Sequence, residues 1–170
     1  QYSPTSEQGK ITKSTPMGSV DYSFNPVSVA LGAEATFVAR SIDSDRKHLT
    51  ETLRAAAAHE GAALVEIYQN CNIFNDGAWE PLKEGDTRDD LLIRLVHGEP
   101  IRFGADGSRG VMRNAAGHLE IVDVATVGED ALLRHDAHAD DPGLAFALSR
   151  LADSHTLANT PIGVFRDVTR

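Results

Sequence analysis

Cys71 is the side chain in this sequence best suited to chemistry. It lies in Tyr68-Gln69-Asn70-Cys71-Asn72-Ile73-Phe74-Asn75-Asp76-Gly77. Asn70, Asn72 and Asn75 offer amides able to hydrogen-bond a thiolate or the sulfide of a metal cluster. A lone cysteine is as a rule an inert, buried side chain. No adjacent His or Lys is present to lower its pKa, which disfavours nucleophilic use. A second candidate is the stretch holding His135, Asp136, His138, Asp140 and Asp141. These residue types suit a divalent metal, but the stretch reads as a solvated loop between helices. A third is the opening Ser/Thr/Pro/Gly segment with Lys10 and Lys13, which could hold a phosphate through backbone N–H groups and hydroxyls. It lacks Walker-type spacing and reads equally well as a linker. Trp79 and Tyr68 read as packing residues, and Asp89 and Asp90 as carboxylates at the positive end of a helix. No Ser/His/Asp set and no pair of carboxylates emerges.

The elements that must position these residues follow from patterning. Residues 1–25 carry no sustained apolar period and read as irregular. Asn25 and Pro26 predict a short helix ending near Gly32, with Val27, Ala30 and Leu31 on its apolar face. Ala35 to Ile42 reads as a strand. A helix capped by Asp43 or Ser44 follows, with Leu49, Leu53, Ala56 and Ala57 inward and Arg46, Lys47, Glu51 and Arg54 outward. Past Gly61, Ala62 to Gln69 is a second strand. Strand, helix, strand with short connections predicts a βαβ unit and a parallel sheet. That places Cys71 just beyond the carboxyl end of a strand, where open α/β sheets hold their ligands. Thr87 to His97 reads as a further helix with Leu91, Leu92 and Leu95 inward. Ile101–Phe103, Gly110–Arg113 and Leu119–Val124 read as short strands, with Gly107 and Gly117 in the turns. Leu144, Leu148 and Leu151 mark a last helix, and Pro161 to Val168 a last strand.

Composition bounds what such a chain can do. It has 170 residues, 16 Lys and Arg against 25 Asp and Glu, and a formal net charge of −9. With 41% hydrophobic and 24% charged residues it reads as a globular α/β body. No basic stripe suits duplex nucleic acid, and no apolar run suits a bilayer. One cysteine excludes an internal disulfide framework and a self-contained zinc ribbon or cysteine-ligated cluster. No signal peptide is legible, and the absence of paired cysteines suits a reducing cytoplasm. The start at Gln1-Tyr2-Ser3-Pro4, without Met, is expected of a numbering that begins inside a longer protein.

Several phrases carry more than patterns. Gln1-Tyr2-Ser3-Pro4-Thr5-Ser6, Lys13-Ser14-Thr15-Pro16, Asn25-Pro26 through Ala39, Tyr68 to Gly77 and Thr160 to Asp167 resemble the β subunit of 2-oxoacid:ferredoxin oxidoreductases, closest to the 2-oxoglutarate type. The resemblance runs over nearly the whole chain and covers about the carboxy-terminal half of that subunit. It implies the carboxy-terminal part of a thiamine diphosphate-binding α/β fold over residues 1–98, a parallel sheet with flanking helices. A small strand-and-helix extension over 99–170 would complete the chain.

It also implies a reaction: 2-oxoglutarate and coenzyme A give succinyl-CoA and CO₂. Electrons leave through a [4Fe–4S] cluster to ferredoxin, and thiamine diphosphate held with Mg²⁺ supplies the carbanion chemistry. Cys71 matches the family's last cluster cysteine. The other three, and the Gly-Asp and Asn residues that hold Mg²⁺ and diphosphate, belong to an upstream part that this sequence does not include. Gln1 and Thr5 fall where the cofactor-binding loop continues and are expected beside the diphosphate. The family's substrate pocket is shared with an α subunit, so a heteromeric assembly is implied, with the 170 residues inactive alone. The pyruvate-type relative and a non-catalytic interaction domain of the same fold are the alternatives.

Overall fold

A computed structural model describes residues 2–73, 75–83 and 85–169. Residues 2–25 form turns but no helix or strand. Helix α1 (Pro26–Gly32) starts as its sequence predicts: the Asn25 side chain accepts from the Ser28 N–H and Pro26 opens the first turn. The same side chain donates to the Ser149 carbonyl at 2.8 Å, so the cap also ties α1 to α5 (Gly143–Ser149). Val27, Ala30 and Leu31 are buried.

Strand β1 (Phe37–Ile42), helix α2 (Arg46–Ala58) and strand β2 (Ala63–Tyr68) form the predicted βαβ unit, with β1 and β2 parallel. Every residue of β1 is buried. Two details of α2 differ from expectation. Its cap is Asp45, which accepts from the His48 N–H and is held by Arg94 at 2.9 Å. Its inward face carries His48, Leu49 and Thr52, while Leu53 is 44% exposed. The helix is rotated because His48 Nδ1 bonds the Ser41 hydroxyl of β1 at 2.8 Å. A polar contact sets the angle that apolar spacing alone assigned to Leu53 and Ala57.

The expected helix over Thr87–His97 divides. Helix α3 (Gly85–Leu91) passes directly into strand β3 (Leu92–Leu95). Apolar residues at nearly every position from Leu91 to Val96 fit either period, and neighbours decide. The Asp89 carbonyl accepts from the Gly104 N–H at 3.0 Å and the Asp90 carbonyl from Arg109. The backbone beyond is then free to pair with a strand.

Strands β4 (Arg102–Phe103), β5 (Arg109–Arg113) and β6 (Leu119–Asp123) make a three-stranded antiparallel sheet with turns at the expected glycines. A single-turn helix α4 (Val124–Val127) follows. The last strand, β7 (Thr160–Asp167), lies inside the main sheet, whose order is β2-β1-β7-β3. It runs parallel to β3 but antiparallel to β1, with a register shift between Val38 and Ala39. The sheet is therefore mainly, not wholly, parallel. Gly163 permits this: a Cβ there would stand 2.6 Å from the Leu95 carbonyl oxygen, and its φ is +120°.

The core has two parts. Val27, Leu31, Val38, Ile93, Phe103, Val111, Leu148 and Phe165 join α1 and α5 to one face of the sheet and to the small sheet. Ile42, Leu82, Leu92 and Ile162 form the second, with Tyr68 and Trp79 packed against them. Each such fully buried side chain contributes about 1.5–3 kcal/mol. Among the described residues no helix is long and apolar enough to cross a membrane.

Candidate functional site

A cleft of about 1140 Å³ opens at the carboxyl ends of β1 and β2. Arg40 on β1 and Glu66 on β2 stand opposite each other in the parallel register, and both line the cleft. Arg40 is 2% exposed. Its Nε donates to Glu66 Oε2 at 2.6 Å and its Nη1 to the Pro161 carbonyl at 3.3 Å. The guanidinium carbon lies 5.2 Å from the Tyr68 ring centre and 5.5 Å from that of Phe165. Two residues on from Glu66, Tyr68 shares its side of the strand. It stacks on Trp79 with ring centres 4.0 Å apart and planes 8° from parallel. Burial pushes the Tyr68 phenol up to about 12, against the opposing pull of Arg40. Tyr68 thus stays a neutral hydroxyl at physiological pH. The base of the cleft is a charge-neutral pair under an aromatic shelf.

The turn after β2 carries Cys71. Asn70 organises it: its Oδ1 accepts from the Gly77 N–H at 2.9 Å and its Nδ2 donates to Asp76 Oδ1 at 2.8 Å. The Asn70 N–H reaches Asp43 Oδ2 at 3.4 Å. The Asn75 N–H donates to the Cys71 carbonyl at 2.9 Å, closing an isolated antiparallel bridge. Cys71 is exposed and lines the cleft.

The opening segment forms the facing wall. The Phe24 N–H donates to the Pro4 carbonyl at 2.8 Å and the Ser23 hydroxyl to the Ser6 carbonyl at 2.9 Å, so the segment folds back on itself. Lys10 Nζ pairs with Glu7 Oε1 at 2.8 Å and also donates to Asn75 Oδ1. Partial burial acts to raise the Glu7 carboxyl, but the hydrogen bond and charge of Lys10 outweigh it and hold Glu7 below the usual carboxylate range. A turn from Asp153 to Leu157 closes the rim. The Thr156 and His155 N–H groups hold the Asp153 carboxyl low.

Of the residues singled out from sequence, Thr5, Tyr68, Cys71, Asn75 and Trp79 line this one cleft. Gln1 lies outside the described residues. Arg40 and Glu66 were missed, although an Arg inside Phe37-Val38-Ala39-Arg40-Ser41-Ile42 signals a buried charge that needs a partner. The expected exposed loop from His135 to Asp141 is corrected in part. His135 is 2% exposed and its Nε2 donates to the Val164 carbonyl at 2.7 Å. Burial holds its pKa below the ordinary value of 6.5 despite that bond. The loop lies at the opposite end of the sheet from the cleft, where His138 bonds the Asp167 carbonyl that ends β7. Among the described residues, no three His, Cys, Asp or Glu side chains converge as a metal-binding set.

No family model matches the chain. It is 59% identical over 171 aligned residues to the 2-oxoglutarate oxidoreductase subunit KorB of Mycobacterium tuberculosis, covering 100% of this chain and 45% of that subunit. It is 40% identical over 114 residues to the 2-oxoacid:ferredoxin oxidoreductase subunit beta of Saccharolobus solfataricus, covering 56% of this chain and 37% of that subunit. A solved 2-oxoglutarate:ferredoxin oxidoreductase from Magnetococcus marinus, with 2-oxoglutarate, coenzyme A and succinyl-CoA bound, shares the fold. The TM-score is 0.62 at 24% identity, covering 100% of this chain and 42% of that one. The chain thus spans less than half the length of the relatives it matches. Over that span it belongs to the β-subunit family of the 2-oxoglutarate and 2-oxoacid:ferredoxin oxidoreductases.

Proposed function

We propose that the chain is the part of a 2-oxoglutarate:ferredoxin oxidoreductase β subunit that supplies one cluster ligand and one wall of the cofactor cleft. The full enzyme converts 2-oxoglutarate and coenzyme A to succinyl-CoA and CO₂, passing two electrons singly to ferredoxin. The observation that carries this reading is the exposed thiol of Cys71, on a turn at the carboxyl end of a parallel strand and at the lip of the cleft. It stands in a chain 59% identical over its length to a KorB subunit.

The implied groups fit unequally. An exposed thiol on a hydrogen-bonded turn suits one corner of a [4Fe–4S] cluster. Such a cluster takes four thiolates, and the chain has one cysteine, so the remaining three belong to residues beyond this sequence. Thiamine diphosphate supplies a carbanion and an electron sink when bound. Thr5, and Gln1 by sequence position, are proposed to border its diphosphate. Glu7 is already paired with Lys10, and the described residues offer no carboxylate set for Mg²⁺. No step of the reaction is assigned to these residues beyond forming the wall.

We further propose that residues 1–98 belong to the thiamine diphosphate-binding domain and 99–170 to an extension that returns β7 to the sheet. The proposed partners are an α subunit completing the substrate pocket, and ferredoxin. Neither nucleic acid nor a membrane is among them, and the setting is the cytoplasm.

The test is Cys71→Ala in the full-length subunit assembled with its α subunit. Low-temperature EPR of the reduced protein is expected to lose or convert the cluster signal, with decarboxylation partly retained. An unchanged spectrum would remove the assignment. Turnover with competing 2-oxo acids separates the 2-oxoglutarate reading from the pyruvate-type alternative.

A further inference from the structure

We propose that Lys10 is a positioning residue for Cys71, latching the opening segment onto the cysteine-bearing turn and holding a positive charge beside it. The inference rests on the reading of Cys71 as a cluster ligand. Three observations carry it. First, Lys10 Nζ is shared between Glu7 and Asn75, residues 65 positions apart in the second case, and its side chain is only 16% exposed. Second, Asn75 is the residue whose N–H binds the Cys71 carbonyl at 2.9 Å, so the ammonium is two hydrogen bonds from the cysteine backbone. Third, Lys10 stands at the neck of a closed loop. The Gly9 N–H donates to the Ser19 carbonyl at 2.8 Å and the Ser19 N–H to the Lys10 carbonyl at 3.2 Å. A Cβ on Gly18 would stand 3.0 Å from the Gly9 oxygen, and its φ is +86°. The neck is thus fixed by backbone, and the Lys10 side chain joins it to the turn.

The physical consequence has a sign. A cluster gains negative charge on reduction, so losing the Lys10 ammonium, which also leaves the Glu7 carboxylate uncompensated, disfavours the reduced form and lowers the midpoint potential. Glu7 keeps the latch oriented, and the Lys10 side chain is held between two side-chain oxygens, Glu7 Oε1 and Asn75 Oδ1.

The experiment uses the full-length subunit in its α-containing complex, comparing Lys10→Gln, Lys10→Arg and Asn75→Ala with the parent. Iron content, the EPR-monitored midpoint and the rate of iron loss to a chelator are the readouts. Lys10→Gln is expected to retain the cluster but to shift its reduced-to-oxidised ratio at fixed potential about tenfold toward oxidised. That corresponds to a midpoint lower by about 59 mV for one electron. Lys10→Arg should restore most of the shift. Asn75→Ala, which frees the turn but spares the charge, should speed iron loss several-fold. Parent-like potential and release rate in both Lys10→Gln and Asn75→Ala would overturn the latch while leaving cluster ligation by Cys71 intact. An unaltered cluster in Cys71→Ala would overturn both.

Discussion

The two ends of the main sheet hold similar polar side chains and use them in different proportions. At the carboxyl ends of β1 and β2, several polar side chains bond to one another as well as to backbone. Arg40 pairs with Glu66, Asn70 with Asp76 and Lys10 with both Glu7 and Asn75. These bonds leave Cys71 at the surface of a large cleft. At the other end, beside the start of β1 and the end of β7, most of the comparable groups close backbone. His135 bonds the Val164 carbonyl, His138 the Asp167 carbonyl and Asp141 the Gly143 N–H. At the second end each of these imidazoles meets a backbone carbonyl through one ring nitrogen, and among the described residues no three His, Cys, Asp or Glu side chains converge there.

The largest effect that would sharpen this contrast comes from the base of the cleft. Arg40→Ala leaves the Glu66 carboxylate, 14% exposed, without its partner. It is expected to cost about 3–5 kcal/mol in denaturant unfolding of the full-length subunit. Replacing both members together, Arg40→Met with Glu66→Leu, should recover most of that loss. At the other end Asp167→Ala breaks the pair with His59, but Asp167 is 32% exposed and the loss should be the smaller of the two. Equal losses at the two ends would erase the distinction.

How much of this was legible depends on whether the signal is local. The cap at Asn25, the βαβ unit and the hairpins of β4–β6 rest on turn chemistry and short-range periodicity, and they stand as predicted. Thr5 and Cys71 were placed from short phrases, and they share one cleft. What escaped is set by distant partners. The split of Thr87–His97 depends on Gly104 and Arg109 capturing the carbonyls of Asp89 and Asp90. The rotation of α2 depends on Ser41. The central position of β7, antiparallel to β1 and parallel to β3, depends on a glycine that admits the β3 backbone. The burial of His135 depends on a carbonyl 29 residues away. None of these partners is visible in a window of one element.

That buried imidazole gives the next test. Burial holds the folded pKa of His135 below the ordinary value of 6.5. Once the pH drops below about 6.5, the unfolded chain takes up a proton that the folded chain refuses. Stability is therefore full above that value and falls with acidification until the folded group itself protonates, by at most about 1.4 kcal/mol per pH unit. His48, also lowered by burial, adds to the same slope. His135→Gln keeps an N–H for the Val164 carbonyl and removes the titration. Its unfolding free energy is expected to vary less between about pH 5 and 7. A slope equal to the parent's would show that His135 is not the buried neutral group described.

The smallest effect probes the same loop as a metal site. His138 Nδ1 must carry the proton, because its partner at 2.6 Å is the Asp167 carbonyl, and its ring packs 4.4 Å from that of His97. One nitrogen is thus occupied, and the neighbouring imidazole is turned toward Asp136 at 3.4 Å and the Ala137 N–H at 3.2 Å. His138→Ala removes one hydrogen bond and a ring contact, a loss of about 0.5–1.5 kcal/mol. Elemental analysis and turnover of the assembled enzyme are expected to match the parent. A fall in bound metal would mean that the loop ligates a cation, and that the bonds to the Val164 and Asp167 carbonyls do not prevent it.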